Sequence, residues 1–359
     1  YCSPTVMGYM ERFQVDGQWM AEDELTPFVS QVKEAAEKVE EKTDLTVTVF
    51  EMETAIAFLY FREKQCDYVV LEAGMGGLLD ATNVIDTTVL SIFASISMDH
   101  IGVLGNTLEE IAENKAGIIK PSCQAVVTAP QKPSVIRILQ EKTEECGCQI
   151  RIAHPEKAKV KRELMDGQIF SYEEYEDIHL NLIGRYQIDN AVTVLEAVKA
   201  LNENGAVIPE DAVRAGFAKV IWQGRFQVLE REPLMIADGA HNQDAALRLA
   251  ENVRTYLAGR RIIGVMGVFK DKEYRKMAEI MAPYLTKVYT IDLPNRERSL
   301  AKEELCKVLE ENGVQAEPAE GIREALTAAK ADCKRDDVVL SFGSLSYLGD
   351  VIRICRKRK

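Results

Sequence analysis

Short apolar runs alternate with longer stretches of helical period along most of the chain. Apolar positions recurring every three or four residues predict helices over residues 53–62, 108–118, 134–146, 187–203, 209–219, 244–257, 273–284, 302–312, 321–331 and 345–355. Thr26-Pro27, ahead of a mixed apolar and charged stretch, reads as an N-cap with proline at the first helical position and predicts a helix from there to residue 42. Between the helices lie short runs rich in β-branched residues, which predict strands at 45–50, 68–71, 89–96, 125–128, 149–152, 234–237, 262–266, 288–291 and 338–342. Such alternation implies parallel sheets covered on both faces. Residues 158–182 differ: the runs are polar and broken by Asp166-Gly167, a hairpin signal, so a small antiparallel sheet is expected there. A second α/β series follows Trp222-Gln223-Gly224-Arg225, which puts a domain boundary near residue 226.

Length supports that division, since 359 residues suffice for two domains, each with its own core. The 44 basic and 57 acidic residues leave a net charge of −13, which argues against nucleic-acid binding. No apolar run reaches the roughly 18 residues of a membrane span, so a soluble, cytoplasmic protein is expected. The eight cysteines lack paired zinc spacing and read as reduced thiols, with Cys146-Gly147-Cys148 a turn before a strand. The basic end from Arg353 onward reads as a solvated helix terminus that complements the helix dipole. The first residue is Tyr1, and Tyr1-Cys2-Ser3-Pro4 reads as a strand end entering a loop; the chain is expected to begin past the native start.

Candidate chemistry gathers where apolar strands end in polar loops, the edge at which open α/β sheets bind ligands. Glu72 closes one such run and is followed by Gly74, Gly76 and Gly77, a combination suited to a divalent cation beside an anion, or equally to a tight turn. The next run ends in Asp99-His100, a second polar cluster on the same edge. Lys115 falls near the end of a helix and does not stand out, because helical lysines usually face solvent. In the second series, Asp238-Gly239-Ala240-His241-Asn242 offers a carboxylate, an imidazole and an amide; Asp238 or Asn242 capping the following helix is the plainer alternative. Arg225 offers a guanidinium able to fork onto phosphate or carboxylate, and Lys270-Asp271-Lys272 reads either as part of a site or as a solvated turn.

Together these segments resemble the folylpolyglutamate synthase and dihydrofolate synthase family of the Mur ligase superfamily. The resemblance runs in order through Tyr1-x-Ser3-Pro4, Glu11-Arg12 with Asp16-Gly17, Phe50-Glu51 with Thr54, and the Glu72 glycine loop ending Leu79-Asp80-Ala81-Thr82-Asn83. It continues through Asp99-His100 with Leu104-Gly105, Lys115-Ala116-Gly117-Ile118, Gly184-x-x-Gln187-x-x-Asn190-Ala191, Trp222-x-Gly224-Arg225, Asp238 to Asn242, and Lys270 to Lys272. The resemblance implies an α/β protein: a Mur-ligase-type P-loop NTPase domain over 1–226, N-terminally truncated, followed by a Rossmann-like C-terminal glutamate-ligase domain over 227–359. It implies an ATP- and Mg2+-dependent ligase that activates a folate carboxylate as an acyl phosphate and joins L-glutamate to it, with dihydropteroate or tetrahydrofolate as acceptor. Ser3, Glu72 and His100 match the magnesium ligands; Lys115 matches the family's carbamylated lysine. Asn190 and Arg225 match nucleotide contacts, while Asp238 and His241 match groups near ATP and the incoming glutamate. A monomer without nucleic-acid or membrane partners is implied.

Three features depart from that family pattern. No G-x-x-x-x-G-K-[ST] segment occurs, so the phosphate-cradling loop is missing; little ligase activity is expected of this chain alone, and apolar surface is expected where the loop's strand would pack. Thr5 stands where a bulkier residue usually follows Ser-Pro, and Leu78 where the glycine loop usually carries arginine. The alternatives are another Mur-type amide ligase and a catalytically inactive relative that binds nucleotide or folate.

Overall fold

The computed structural model describes residues 1–98 and 102–356. The chain divides into two compact units, Tyr1–Lys157 with Asp189–Glu210, and Ala158–Ile188 with Asp211–Lys359.

In the first unit a small hairpin, β1 (Gln14–Val15) and β2 (Gln18–Trp19), turns on Asp16-Gly17, both with positive φ. Helices α1 (Glu22–Lys42) and α2 (Val49–Glu63) follow and share a core with the hairpin through Phe13, Met20, Phe28, Ile56 and Tyr60. Helix α1 begins four residues before Thr26, because Glu24 accepts the N–H of Ala21 at 3.0 Å and three acidic residues fill the first turn; Pro27 therefore lies inside the helix. Residues 45–50, expected as a strand, form the lead-in and first turn of α2. Their alternation hides a capping box, in which Thr48 accepts the Glu51 N–H at 3.3 Å and the Glu51 carboxylate accepts the Thr48 N–H at 2.7 Å.

Strands β3 (Leu90–Phe93), β4 (Ala125–Thr128) and β5 (Gln149–Ile152) form a parallel sheet in that order. Alternate residues of β4 face opposite ways, as strand pleating requires. Val126 packs among Ile111 and Ala112 of α3 (Leu108–Ala116) and Val135 and Leu139 of α4 (Pro133–Cys146), whereas Ala125 and Val127 pack on Ala197 and Ala200 of α5 (Arg185–Glu203). Helix α4 ends at Cys146, Gly147 takes the left-handed conformation at φ 71, and β5 starts two residues later, so Cys146-Gly147-Cys148 is the turn expected. None of the eight cysteines forms a disulfide. Residues 68–71 form no strand; Tyr1 lies beside them, its terminal ammonium donating to Val70 O at 2.9 Å and its carbonyl accepting the Glu72 N–H at 3.1 Å. Tyr68, Val70, Leu79 and Ile92 all have exposed side chains.

The second unit carries the expected antiparallel sheet, β6 (Lys159–Leu164), β7 (Gly167–Tyr172) and β8 (Tyr175–Leu180), with Asp166-Gly167 at its first turn, and then α6 (Glu210–Lys219). Its main sheet comprises β9 (Gln227–Arg231), β10 (Leu234–Ala237), β11 (Ile262–Met266), β12 (Lys287–Thr290), β13 (Gln315–Pro318) and β14 (Val338–Phe342), in the order β13-β12-β11-β14-β10-β9. All pairings are parallel except β9 with β10. Helices α7 (Gln243–Tyr256), α8 (Tyr274–Met281), α9 (Lys302–Glu311), α10 (Ile322–Ala331) and α11 (Leu348–Arg356) complete it.

Candidate functional site

In the first unit the paired backbones of Tyr1 and residues 70–72 bring two candidate residues together. The N–H of Ser3 donates to Glu72 Oε2 at 3.0 Å, which places the serine beside the carboxylate although 69 positions separate them. Behind them, Glu11 shapes the loop after Ser3 by accepting the N–H groups of Val6 and Met7, both at 2.7 Å. Arg12 pairs with the buried Glu53, a charge that needs such a partner; burial nonetheless pushes the Glu53 carboxyl upward. Neither Glu11 nor Arg12 carries a role in the sequence reading beyond its place in a motif, and an acidic residue beside a loop gives no sequence signal for one.

The glycine loop after Glu72 lies against the last turn of α3. A Cβ on Gly77 would fall 2.6 Å from Lys115 O and 2.9 Å from Asn114 O, and one on Gly117 would fall 2.5 Å from Leu78 Cα. Gly74 lies as closely against the ring of Phe50. The glycines thus permit helix–loop packing, a use distinct from the close approach to an anion that the spacing suggested. The packing sets Lys115, half-buried on that turn, alongside the segment that carries Glu72. His100 and Asp99 lie outside the described residues. Asn190 sits exposed on α5.

In the second unit the loop after β10 is organised by Asp238. This carboxylate is 5% exposed and accepts the N–H groups of Phe226 and Ala240, each at 2.8 Å. Burial pushes its pKa up, while the two N–H donors and the Arg225 guanidinium draw it down. Gly239 lies under Leu345 and Arg225, where an added Cβ would overlap Leu345 Cδ2 and fall 2.9 Å from Arg225 Nη1, so this glycine keeps the space both side chains occupy. His241 Nδ1 lies 2.8 Å from Gly239 O; a carbonyl only accepts, so Nδ1 carries the proton and Nε2 is the basic nitrogen. Asn242 caps α7 by accepting the Ala245 N–H at 2.9 Å, which fulfils the plainer alternative for that residue. Asp238 is instead the brace of the loop.

Tyr186 belongs to the same cluster and was missed by residue-by-residue reading. Arg248 lies 5.7 Å from its ring centre, and burial together with the nearby Asp238 charge pushes the phenol up to about 12. Its place between Gly184 and Gln187 was the available signal. Lys270-Asp271-Lys272 forms a turn held by Arg298, whose guanidinium donates to Asp271 at 2.9 Å.

These positions coincide with two known domain patterns: the Mur ligase middle domain matches residues 19–198, and the Mur ligase glutamate ligase domain matches residues 224–345. A dihydrofolate synthase/folylpolyglutamate synthase of Bacillus subtilis is 33% identical over 358 residues, covering 98% of this chain and 82% of the relative. The folylpolyglutamate synthase of Lacticaseibacillus casei is 32% identical over 361 residues, again covering 98% and 82%. Among solved structures, Mycobacterium tuberculosis folylpolyglutamate synthase complexed with ADP superposes with a TM-score of 0.87 at 28% identity, covering 99% of this chain and 83% of that one. Escherichia coli FolC in complex with DHPP and ADP gives 0.85 at 29% identity, covering 100% and 81%. With a fold, two domain patterns and near-complete coverage in agreement, the chain belongs to the folylpolyglutamate synthase/dihydrofolate synthase family of Mur ligases.

Proposed function

We propose that the protein is an ATP-dependent ligase that adds L-glutamate to folates, with both tetrahydrofolate and dihydropteroate as acceptors, and that it works as a cytoplasmic monomer. We place its ATP-binding half at 1–226 and its glutamate-ligase half at 227–359. Beyond family membership, the observation that carries the reading is the Ser3–Glu72 contact, which puts a hydroxyl-bearing residue beside a carboxylate, next to the loop that packs on the Lys115 turn.

Hard oxygen donors in small number suit Mg2+, which usually keeps several waters, and Ser3 and Glu72 supply such donors; His100 is the third residue of the set. When bound, ATP supplies the phosphoryl group that activates the folate carboxylate, and Mg2+ offsets the charge of its phosphates. The chain's own residues have separate tasks. Lys115, carbamylated as the family resemblance implies, would supply an anionic group for the metal. Arg225 offers its guanidinium to phosphate oxygens, and Asn190 contacts the nucleotide. His241, with its Nδ1 proton held by Gly239 O, keeps Nε2 oriented to take a proton from the incoming glutamate amine. Asp238 fixes the loop from which His241 projects. Leu78, 57% exposed where the family resemblance implies an arginine, leaves the acceptor region without one positive charge, so acceptor preference is expected to differ.

Labelled glutamate incorporation by the full gene product, with dihydropteroate and tetrahydrofolate offered separately, tests the proposal. ATP-dependent incorporation into either supports it, and the pattern between the two defines acceptor range. No incorporation into either while nucleotide still binds would overturn it in favour of an inactive binding relative.

A further inference from the structure

The segment Leu79-Asp80-Ala81-Thr82-Asn83 has no role in the site as described, yet its side chains hold that site's parts together. Asp80 closes the glycine loop on itself: its carboxylate accepts the Met75 N–H at 2.8 Å, the Thr82 N–H at 3.0 Å and the Thr82 hydroxyl at 2.6 Å. Asn83 then reaches outward. Its amide nitrogen donates to Leu78 O at 3.2 Å, within the loop, and to Gly117 O at 3.1 Å, just past the end of α3. A primary amide has two hydrogens to donate, so one side chain spans both segments. The backbone adds a parallel tie, Leu78 N–H to Asn114 O at 2.8 Å.

We propose that Asn83 is a positioning residue that clamps the glycine loop to the last turn of α3 and thereby sets Lys115 relative to Glu72. Helix C-terminal carbonyls lack partners within their own helix, and Asn83 satisfies one just beyond Lys115 while gripping the loop that leads back to Glu72. Aspartate at this position keeps the size but turns both donors into acceptors facing carbonyl oxygens. Alanine leaves the two carbonyls without this donor. Groups that orient metal ligands directly typically carry about 10- to 100-fold in metal affinity, and Asn83 acts one step further out, through the backbone of the loop and helix end that carry Glu72 and Lys115, so the lower end of that range applies. The inference rests on the proposed reading of those two residues.

Asn83→Ala and Asn83→Asp are compared with the parent chain by hydrogen exchange and by Mn2+ binding followed by electron paramagnetic resonance in the presence of ADP. The expected result is roughly ten-fold faster exchange confined to peptides spanning 76–80 and 115–119, together with at least about ten-fold weaker Mn2+ binding, Asn83→Asp being the more affected. Unchanged exchange in those peptides overturns the clamp, and unchanged Mn2+ affinity with faster exchange overturns its role in positioning. If the parent chain binds no Mn2+, the metal assignment of Ser3 and Glu72 fails, and exchange alone judges the clamp. General unfolding of Asn83→Asp leaves Asn83→Ala, which introduces no charge, to decide.

Discussion

Replacing Gly77 with alanine tests whether the glycine loop is fitted to α3. The added methyl would sit 2.6 Å from Lys115 O, 2.9 Å from Asn114 O and 3.0 Å from Lys115 Cα, all backbone atoms of a helix end that cannot swing aside as a side chain would. The loop must retreat by at least about 0.4 Å to bring the closest contact out to 3.0 Å, and overpacking of this kind costs about 1–3 kcal/mol. Retreat also stretches the 2.8 Å bond from Leu78 N–H to Asn114 O, worth about 1 kcal/mol net. A total loss of about 2–4 kcal/mol is therefore expected in the first unit. Urea unfolding measures it, with Trp222→Phe as background so that Trp19 alone reports the first unit by fluorescence. An unfolding free energy unchanged within about 0.5 kcal/mol would refute the packing argument, because overpacking of backbone on backbone costs more than that.

Three further outcomes follow from local geometry. Asp238→Asn must turn an amide N–H2 toward the N–H of Phe226 or Ala240, and is expected to destabilise the second unit by about 1–3 kcal/mol in urea unfolding. Hydrogen bonds from the Tyr289 hydroxyl and the Lys287 ammonium hold Asp332 below the usual carboxylate range, so its contribution is present above the ordinary carboxylate pKa and lost as pH falls through the lowered value. The stability gap between the parent and Asp332→Asn should accordingly close on acidification, and a gap independent of pH would contradict the linkage. Gly147→Ala meets no atom within 4 Å but keeps a φ of 71, so a purely conformational penalty of about 1–2 kcal/mol is expected in thermal unfolding, with Gly147→Asn costing less.

The buried strands were the most legible elements. Residues 125–128, 234–237, 262–266 and 338–342 are unbroken apolar runs or nearly so, because parallel strands covered on both faces have no polar side to show. β13 escaped notice because Gln315-Ala316-Glu317-Pro318 lies at a sheet edge, where pairing on one side suffices and apolar content is not demanded. Residues 45–50 misled in the opposite direction: exposed Leu45 and Val49 flank Thr48, whose task is to cap a helix. Among the candidate residues, Glu72 and Lys115 of the first unit and Asp238 and His241 of the second were visible through ordered motifs. The use of the glycines was not, since a sequence shows that a backbone must approach something closely but not whether that something is a ligand or a helix end.

The position of β14 bears on how the second unit comes into being. Its residues Val338 to Phe342 pair with β10 on one side and β11 on the other, so the last of these six strands in chain order completes the middle of the sheet. During synthesis β9 and β10 can form a hairpin, and β11, β12 and β13 can assemble through their helices, but the two halves share no edge until β14 arrives. A nascent chain halted before residue 338 would thus hold two partial sheets, each with an apolar central edge open to pairing with another chain. Late insertion of a central strand thus leaves the incomplete sheet more exposed to aggregation than an edge strand added last would.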